Sequence, residues 1–149
     1  MQTALPAFLI LGGLGPKGYT LDGVRTAGLA GAAIVLAAFL GGATLGPILL
    51  PWLPGRAFSV KGAMLGLALA GGLAACGWIG PGTAGSWPHL AAWLLLVPSL
   101  ASFAVMNFTG ASTYTSLSGV LREMRFAMPA QVTAALLGFG FWLGGLYIA

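Results

Sequence analysis

One stretch of the sequence, from Met106 to Met124, has a high density of side chains that could form hydrogen bonds. Neutral hydroxyl and amide groups both donate and accept, and the glycines Gly110 and Gly119 permit tight turns between them. The stretch is typical either of a solvated connector that caps helices or of a docking surface for a soluble domain, a cofactor edge or lipid phosphates. Its polar residues are Asn107, Thr109, Ser112, Thr113, Tyr114, Thr115, Ser116 and Ser118.

Other reactive groups are scarce, and none predicts a catalytic, metal-binding or cofactor-binding site within this chain. The two carboxylates, Asp22 and Glu123, are expected on opposite faces of a membrane and therefore cannot form an acid/base pair. His89 has no second histidine to share a metal, so we interpret it as an interfacial residue. The single Cys76 excludes an intrachain disulfide, and its apolar surroundings in a predicted span favour a small packing residue over a reactive thiol.

The composition predicts an all-α integral membrane protein surrounded by lipid. Of the 149 residues 58% are hydrophobic and only 5% are charged, and the mean hydropathy is +0.97, whereas about a quarter of the residues of a soluble domain are charged. The apolar residues come in blocks rather than alternating, which favours helices over a barrel. No charge is expected inside a span, which disfavours a transporter, and no nucleic-acid partner is expected.

Apolar runs that are bounded by charged residues, prolines and glycines predict a bundle of about five transmembrane helices in a single domain. A short amphipathic helix over about 116–128 is expected to lie on the membrane surface, with Leu121 and Met124 on its apolar face and Glu123 turned away. Pro129 would then begin the last span. The predicted spans are 3–14, 26–50, 62–79, 88–108 and 129–148.

Charge and aromatic residues orient these spans. If all five cross, four basic residues (Arg56, Lys61, Arg122 and Arg125) share one side and two (Lys17 and Arg25) share the other. The positive-inside rule then places the N-terminus in the cytoplasm and the protein in the inner membrane. Tryptophans at span ends predict interfacial belts, and GxxxG pairs predict close helix crossings. The tryptophans are Trp52, Trp78, Trp87 and Trp142, and the pairs are Gly42/Gly46, Gly62/Gly66 and Gly140/Gly144.

Two separate stretches resemble a known family. NFTGASTYTSLSGVLREM, which begins at Asn107, and LGPILLPWLPGRAFSVKGAMLGL, from Leu45 to Leu67, are similar to the C-terminal membrane domain of the mercury-methylating corrinoid proteins, the HgcA family. That family is related to the corrinoid/iron–sulfur protein of acetyl-CoA synthesis. The likeness extends from the GPKGYT turn near the start to the final WLGGLY.

The resemblance implies transfer of a methyl group from a methyl-corrinoid to Hg(II), with electrons supplied by a partner ferredoxin that carries two [4Fe–4S] clusters. In the family a soluble domain binds the corrinoid through a cysteine in an Asn-Val-Trp-Cys-Ala motif. This sequence has no such motif, and the AACGW surroundings of Cys76 do not match it. No catalytic residue is therefore carried over, and the chain is expected to be either a fragment or one part of a split protein.

The resulting hypothesis is a membrane domain that anchors and docks a cytoplasmic corrinoid domain. Arg56, Lys61, Arg122 and Arg125 would supply electrostatic contacts, and the hydroxyl-rich stretch would complete the docking surface. Two alternatives stay open: an anchor or assembly subunit for another corrinoid or acetyl-CoA-pathway enzyme, and a small transporter.

Overall fold

The protein is a helical bundle that carries one small hairpin, as seen in a computed structural model that describes residues 4–49, 51–54, 57–79, 87–110 and 117–148. The predicted all-α membrane class is confirmed. A two-residue antiparallel hairpin, β1 (Leu14–Gly15) with β2 (Gly18–Tyr19), follows the first helix. The helices are α1 (Ala4–Leu11), α2 (Leu21–Leu49), α3 (Phe58–Ala75), α4 (Trp87–Gly110) and α5 (Leu117–Ile148).

Helices α2 to α5 are each long and apolar enough to cross a membrane, so the protein is a multi-pass membrane protein. They correspond to the last four of the five predicted spans. Helix α1, with 8 described residues, is about 12 Å long, less than half of a ~30 Å hydrocarbon layer. In the part of the chain that the structure describes, the first predicted span is thus a short helix packed against the start of α2.

Small residues let α1 fold back along α2. A Cβ placed on Gly12 would lie 2.3 Å from the Cα of Gly28, so the two backbones touch. The turn of α2 that contains Gly28, Val24–Gly28, is π-helical, a rare wider turn that occurs mostly as a single turn inside an α-helix. The hairpin between the two helices turns at Gly18, whose φ of 90° favours glycine.

Helix α4 is the centre of the bundle, and α2, α3 and α5 all pack on it. Glycines make two of these contacts close. A Cβ on Gly42 of α2 would lie 2.9 Å from the Cα of Ala101, and one on Gly66 of α3 would lie 2.4 Å from the Cα of Pro98. Two of the predicted GxxxG pairs therefore form crossings with α4. The third does not in the described structure, because Gly140 has no neighbouring atom within 4 Å of the added Cβ.

The expectation of a separate surface helix over about 116–128 is wrong over its described residues. Helix α5 runs without interruption for 32 residues, a length of about 48 Å. Pro129 lies inside it and removes only one backbone donor, a loss that membrane helices tolerate. The Thr133 hydroxyl donates to the carbonyl oxygen of Pro129, at 2.8 Å. Glu123 also points into the bundle rather than away from it.

The end of α3 corrects the prediction for Cys76. The helix ends at Ala75, so Cys76 caps it and is exposed rather than deep in a span. The next residue, Gly77, has a φ of 77°, and the N–H of Trp78 donates to the carbonyl of Leu73 at 2.9 Å. This is the hydrogen-bond pattern of a Schellman helix end, which the glycine makes possible.

Aromatic rings fill the bundle at the end where α4 begins and α5 finishes. Trp142 is 0% exposed, so its predicted place in an interfacial belt is wrong: it packs against Phe8, with ring centroids 4.6 Å apart. Trp52, Trp78 and Trp87 are exposed, as an interfacial position requires. We call the buried group the aromatic cluster; it consists of Phe8, Trp93, Phe139 and Trp142.

Candidate functional site

The structure brings the described residues of the predicted docking surface to one end of the bundle, where α3 begins, α4 ends and α5 begins. Arg122 and Arg125 are exposed on the first turns of α5, and Lys61 is half-buried on α3. Asn107 is exposed near the end of α4, and its amide donates to the carbonyl of Phe103 at 2.9 Å. These four polar side chains therefore lie at the same end of the bundle, and we call this end the rim.

The side chains of the remaining residues of that prediction lie outside the described part of the structure. Thr109 lies in the last turn of α4, but its side chain is outside the described part of the structure. Also outside it are Arg56, Ser112, Thr113, Tyr114, Thr115 and Ser116.

Inside the rim, Glu123 of α5 caps the start of α3, although it lies 64 residues from Ser59 along the chain. Its Oε1 accepts from the backbone N–H of Ser59 at 2.6 Å and from the Ser59 hydroxyl at 2.6 Å. Ser59 is in the first turn of α3, where backbone N–H groups have no partner within the helix and a negative charge is favourable. The carboxylate thus fixes the start of α5 against the start of α3.

The hydrogen bonds continue from Ser59 into the bundle. The Ser102 hydroxyl of α4 donates to the carbonyl of Ser59 at 2.8 Å, and Nε2 of Gln131 on α5 donates to the Ser102 hydroxyl at 2.7 Å. The same nitrogen lies 3.3 Å from Sδ of Met106. We call Ser59, Ser102, Glu123 and Gln131 the polar junction. It ties together α3, α4 and α5 at about 12 Å from the end of α4.

Sequence reasoning missed most of the polar junction. Ser59, Ser102 and Gln131 were not singled out, and Glu123 was expected to face water. One signal was available for Gln131: it is an amide within an apolar span, and polar groups inside membrane helices find partners or line functional cavities. No local pattern indicates that Ser59 is the partner of Glu123.

Beyond the polar junction, a cleft of about 320 Å³ lies between α3 and α5. These two helices pack mainly on α4 and little on each other. The walls of the cleft are mostly apolar. Ser59, Ser102 and Gln131 form its one polar end. The described lining contains no charged side chain. Its apolar members are Val60, Ala63, Leu67, Leu94, Leu95, Pro98, Ala127, Ala130 and Ala134.

The opposite end of the bundle holds His89 beside the aromatic cluster. Its ring centroid is 6.3 Å from that of Trp93 and 6.5 Å from that of Trp142, and a cavity of about 210 Å³ adjoins it. Nδ1 of His89 and Nε1 of Trp142 are buried without a hydrogen-bond partner in the described structure. The placed residues include no group of three or more His, Cys, Asp or Glu side chains that could hold a metal ion.

Fold and site together define a multi-pass α-helical membrane protein with one hydrogen-bonded, cationic end and one aromatic end. Comparisons of the chain with protein-family models, curated proteins and solved structures found no match.

Proposed function

We propose that this chain is the membrane domain of a corrinoid-dependent mercury methyltransferase, which holds a cytoplasmic corrinoid domain against the inner membrane. One observation carries the proposal: the hydrogen bonds between Ser59 and Glu123 join the two stretches on which the family resemblance rests. Stretches that are distant in sequence form one surface, as expected if the same partner contacts both. The positive-inside rule assigns the end of the bundle that carries Lys61, Arg122 and Arg125 to the cytoplasm.

The charges at that surface favour an acidic partner. Arg122 and Arg125 face outward, whereas the carboxylate of Glu123 is directed to Ser59 inside the bundle. The acidic residue between the two arginines is thus held away from the outer face. Arginine forms bidentate hydrogen bonds with carboxylates, so the rim can orient a soluble domain as well as attract it.

The chemistry belongs to the partners in this proposal. The corrinoid on the soluble domain supplies the methyl group, and the ferredoxin with its two [4Fe–4S] clusters supplies electrons. The residues of this chain bind and orient the soluble domain. No catalytic role is assigned to them.

One observation favours the alternative of an anchor for another corrinoid or acetyl-CoA-pathway enzyme. The only thiol of the sequence, Cys76, lies at the end of α3 opposite the polar junction. Thiolates are the ligands that soft metal ions prefer, so the proposed docking surface offers nothing specific to mercury. Mercury dependence must therefore come from the partners, and an activity assay separates the two functions.

The docking role is tested by binding a separately produced corrinoid domain to proteoliposomes that contain the full chain. Replacing both Arg122 and Arg125 with alanine is expected to weaken binding about fivefold at physiological salt, since each exposed ion pair contributes up to about 1 kcal/mol. Raising the salt concentration should reduce the difference between wild type and variant.

A matched control removes the same charge from the other end of the bundle. Lys17 and Arg25 are both exposed there, and the Lys17→Ala/Arg25→Ala variant should bind like the wild type. Equal weakening by the two double variants would indicate general electrostatic attraction to the membrane surface. That result would contradict docking at the rim.

A further inference from the structure

The cleft between α3 and α5 opens toward lipid. Val60 and Leu67 on α3 and Leu94 on α4 line it and are each about half exposed. The helices that carry them are long and apolar enough to span the membrane. A molecule dissolved in the bilayer can therefore reach the cleft sideways, without passing through water.

The polar end of the cleft contains an unused hydrogen-bond acceptor. Gln131 lines the cleft and is only 9% exposed. Its Nε2 donates to Ser102, but its Oε1 has no partner in the described structure. A buried carbonyl oxygen without a donor is unfavourable. The terminal torsion of glutamine is soft, so a small rotation can turn Oε1 toward a donor in the cleft.

The neighbouring groups also accept rather than donate. Pro98 has no N–H, so the carbonyl of Leu94 in the same wall does not receive its usual helical hydrogen bond. The Ser99 hydroxyl donates to the carbonyl of Leu96 at 2.9 Å, and the Ser102 hydroxyl donates to Ser59. The cleft therefore offers acceptors to an occupant that brings its own donor.

The charges in and near the cleft further limit which kind of molecule it can bind. The described lining has no charged side chain to pair with an ionic head group, and an unpaired charge inside a membrane is unfavourable. The carboxylate of Glu123, bonded to Ser59 at this end, disfavours anions such as fatty-acid carboxylates. A neutral hydroxyl fits these conditions.

We propose that the cleft binds a neutral amphiphile of the bilayer, with an apolar chain between α3 and α5 and a hydroxyl head that donates to Oε1 of Gln131. The volume of about 320 Å³ is within the range of roughly 300–1,000 Å³ typical of small-molecule sites. This site is independent of the docking of a corrinoid domain and does not require mercury.

The probe for this site is a long-chain primary alcohol with a photoactivatable diazirine in its chain, added to the full chain in lipid nanodiscs. After irradiation, mass spectrometry of the labelled peptides should locate the label on 60–67 and 127–134. Unlabelled alcohol of the same length should compete about fivefold better than its methyl ether, which lacks the donor. The alkane should compete no better than the ether.

Substitutions separate the hydrogen bond from the shape of the cleft. Gln131→Leu keeps similar volume but removes the acceptor, so alcohol and ether should compete equally. Thr133→Val is the matched control on the same helix, because the exposed Thr133 hydroxyl donates to its own backbone and lines no described cavity. Ala63→Phe fills the cleft one helical turn from Ser59 and should abolish labelling.

Each result decides the proposal. Wild-type labelling of 60–67 and 127–134 that the alcohol suppresses better than the ether supports it, and this comparison needs no variant to fold. Equal competition by alcohol, ether and alkane would overturn the assigned role of Gln131. Labelling spread over the lipid-facing side of α5, at residues such as Leu136 and Leu137, would overturn the site itself.

Discussion

The two ends of the bundle join the same helices, α4 and α5, by opposite means. At the polar junction, Glu123, Ser59 and Gln131 are fixed by hydrogen bonds of 2.6 to 2.8 Å. At the aromatic cluster, Phe8 of α1 packs against both Trp93 of α4 and Trp142 of α5, with ring centroids 5.9 and 4.6 Å away. Hydrogen bonds are directional and set the register of α3, α4 and α5, whereas ring packing supplies contact area and tolerates small shifts. The difference suggests that one end determines geometry and the other supplies stability.

The charges differ in the same way. Arg122, Arg125 and Lys61 lie around the polar junction, where the only carboxylate of the described rim, Glu123, is turned inward. At the aromatic end, the exposed Asp22 lies on the same helix as Arg25. With Lys17, that end carries two described cations against one carboxylate, compared with three against one around the polar junction. A cationic surface held in a fixed geometry suits partner binding.

The largest expected effect comes from breaking the aromatic cluster. Trp142→Ala should lower the free energy of unfolding by about 3 kcal/mol, because it removes the contacts of a fully buried ring and leaves a cavity. The measurement is unfolding in mixed micelles with increasing SDS, followed by circular dichroism. Trp87→Ala, at an 82% exposed position, is the control and should change the midpoint of SDS unfolding little. An equally small change for Trp142→Ala would contradict the stabilising role of the aromatic cluster.

The crossing of α3 and α4, next to the polar junction, should be the next most sensitive. Gly66→Ala places a Cβ against the backbone at Pro98 and should destabilise by about 2 kcal/mol, the usual range for overpacking. The same substitution at Gly140, where nothing lies within 4 Å, serves as the control in the same SDS titration. Comparable stability of the two variants would show that α3 is not held closely to α4.

How far the sequence predicts this structure depends on whether a feature is local. The apolar block 88–108 corresponds to α4, Trp87–Gly110, because the bilayer thickness sets the length of any span. The direction of Glu123 was not predictable. Helical spacing groups it with Arg122 and Arg125, and only the long-range contact with Ser59 turns it inward. Trp142 was misplaced for the same reason: distance from a span end does not reveal that Phe8 covers it.

Breaking the polar junction should have a smaller effect on stability than breaking the aromatic cluster. Glu123→Ala leaves the first-turn N–H of Ser59 without its charged acceptor and should destabilise by about 1.5 kcal/mol. Glu123→Gln keeps an acceptor oxygen, so its loss should be about half as large. A Glu123→Gln variant as unstable as Glu123→Ala would indicate that charge, rather than the hydrogen bonds, fixes the junction.

The smallest expected effect on stability is that of the exposed arginines. Replacing both Arg122 and Arg125 with alanine should change the free energy of unfolding by less than about 0.5 kcal/mol, as usual for exposed positions. The same SDS titration measures it. A loss as large as that of Glu123→Ala would mean that the arginines stabilise the fold, so weaker partner binding by this variant could not be assigned to docking.

The measurement that tests the central claim most directly is methylmercury formation by membranes that contain this chain, with and without a separately supplied corrinoid domain and ferredoxin. Activity should require the complete mixture and should fall in the Arg122→Ala/Arg125→Ala variant but not in Lys17→Ala/Arg25→Ala. If the corrinoid domain and ferredoxin formed methylmercury equally well without this chain, its assignment as a working part of the methyltransferase would be contradicted.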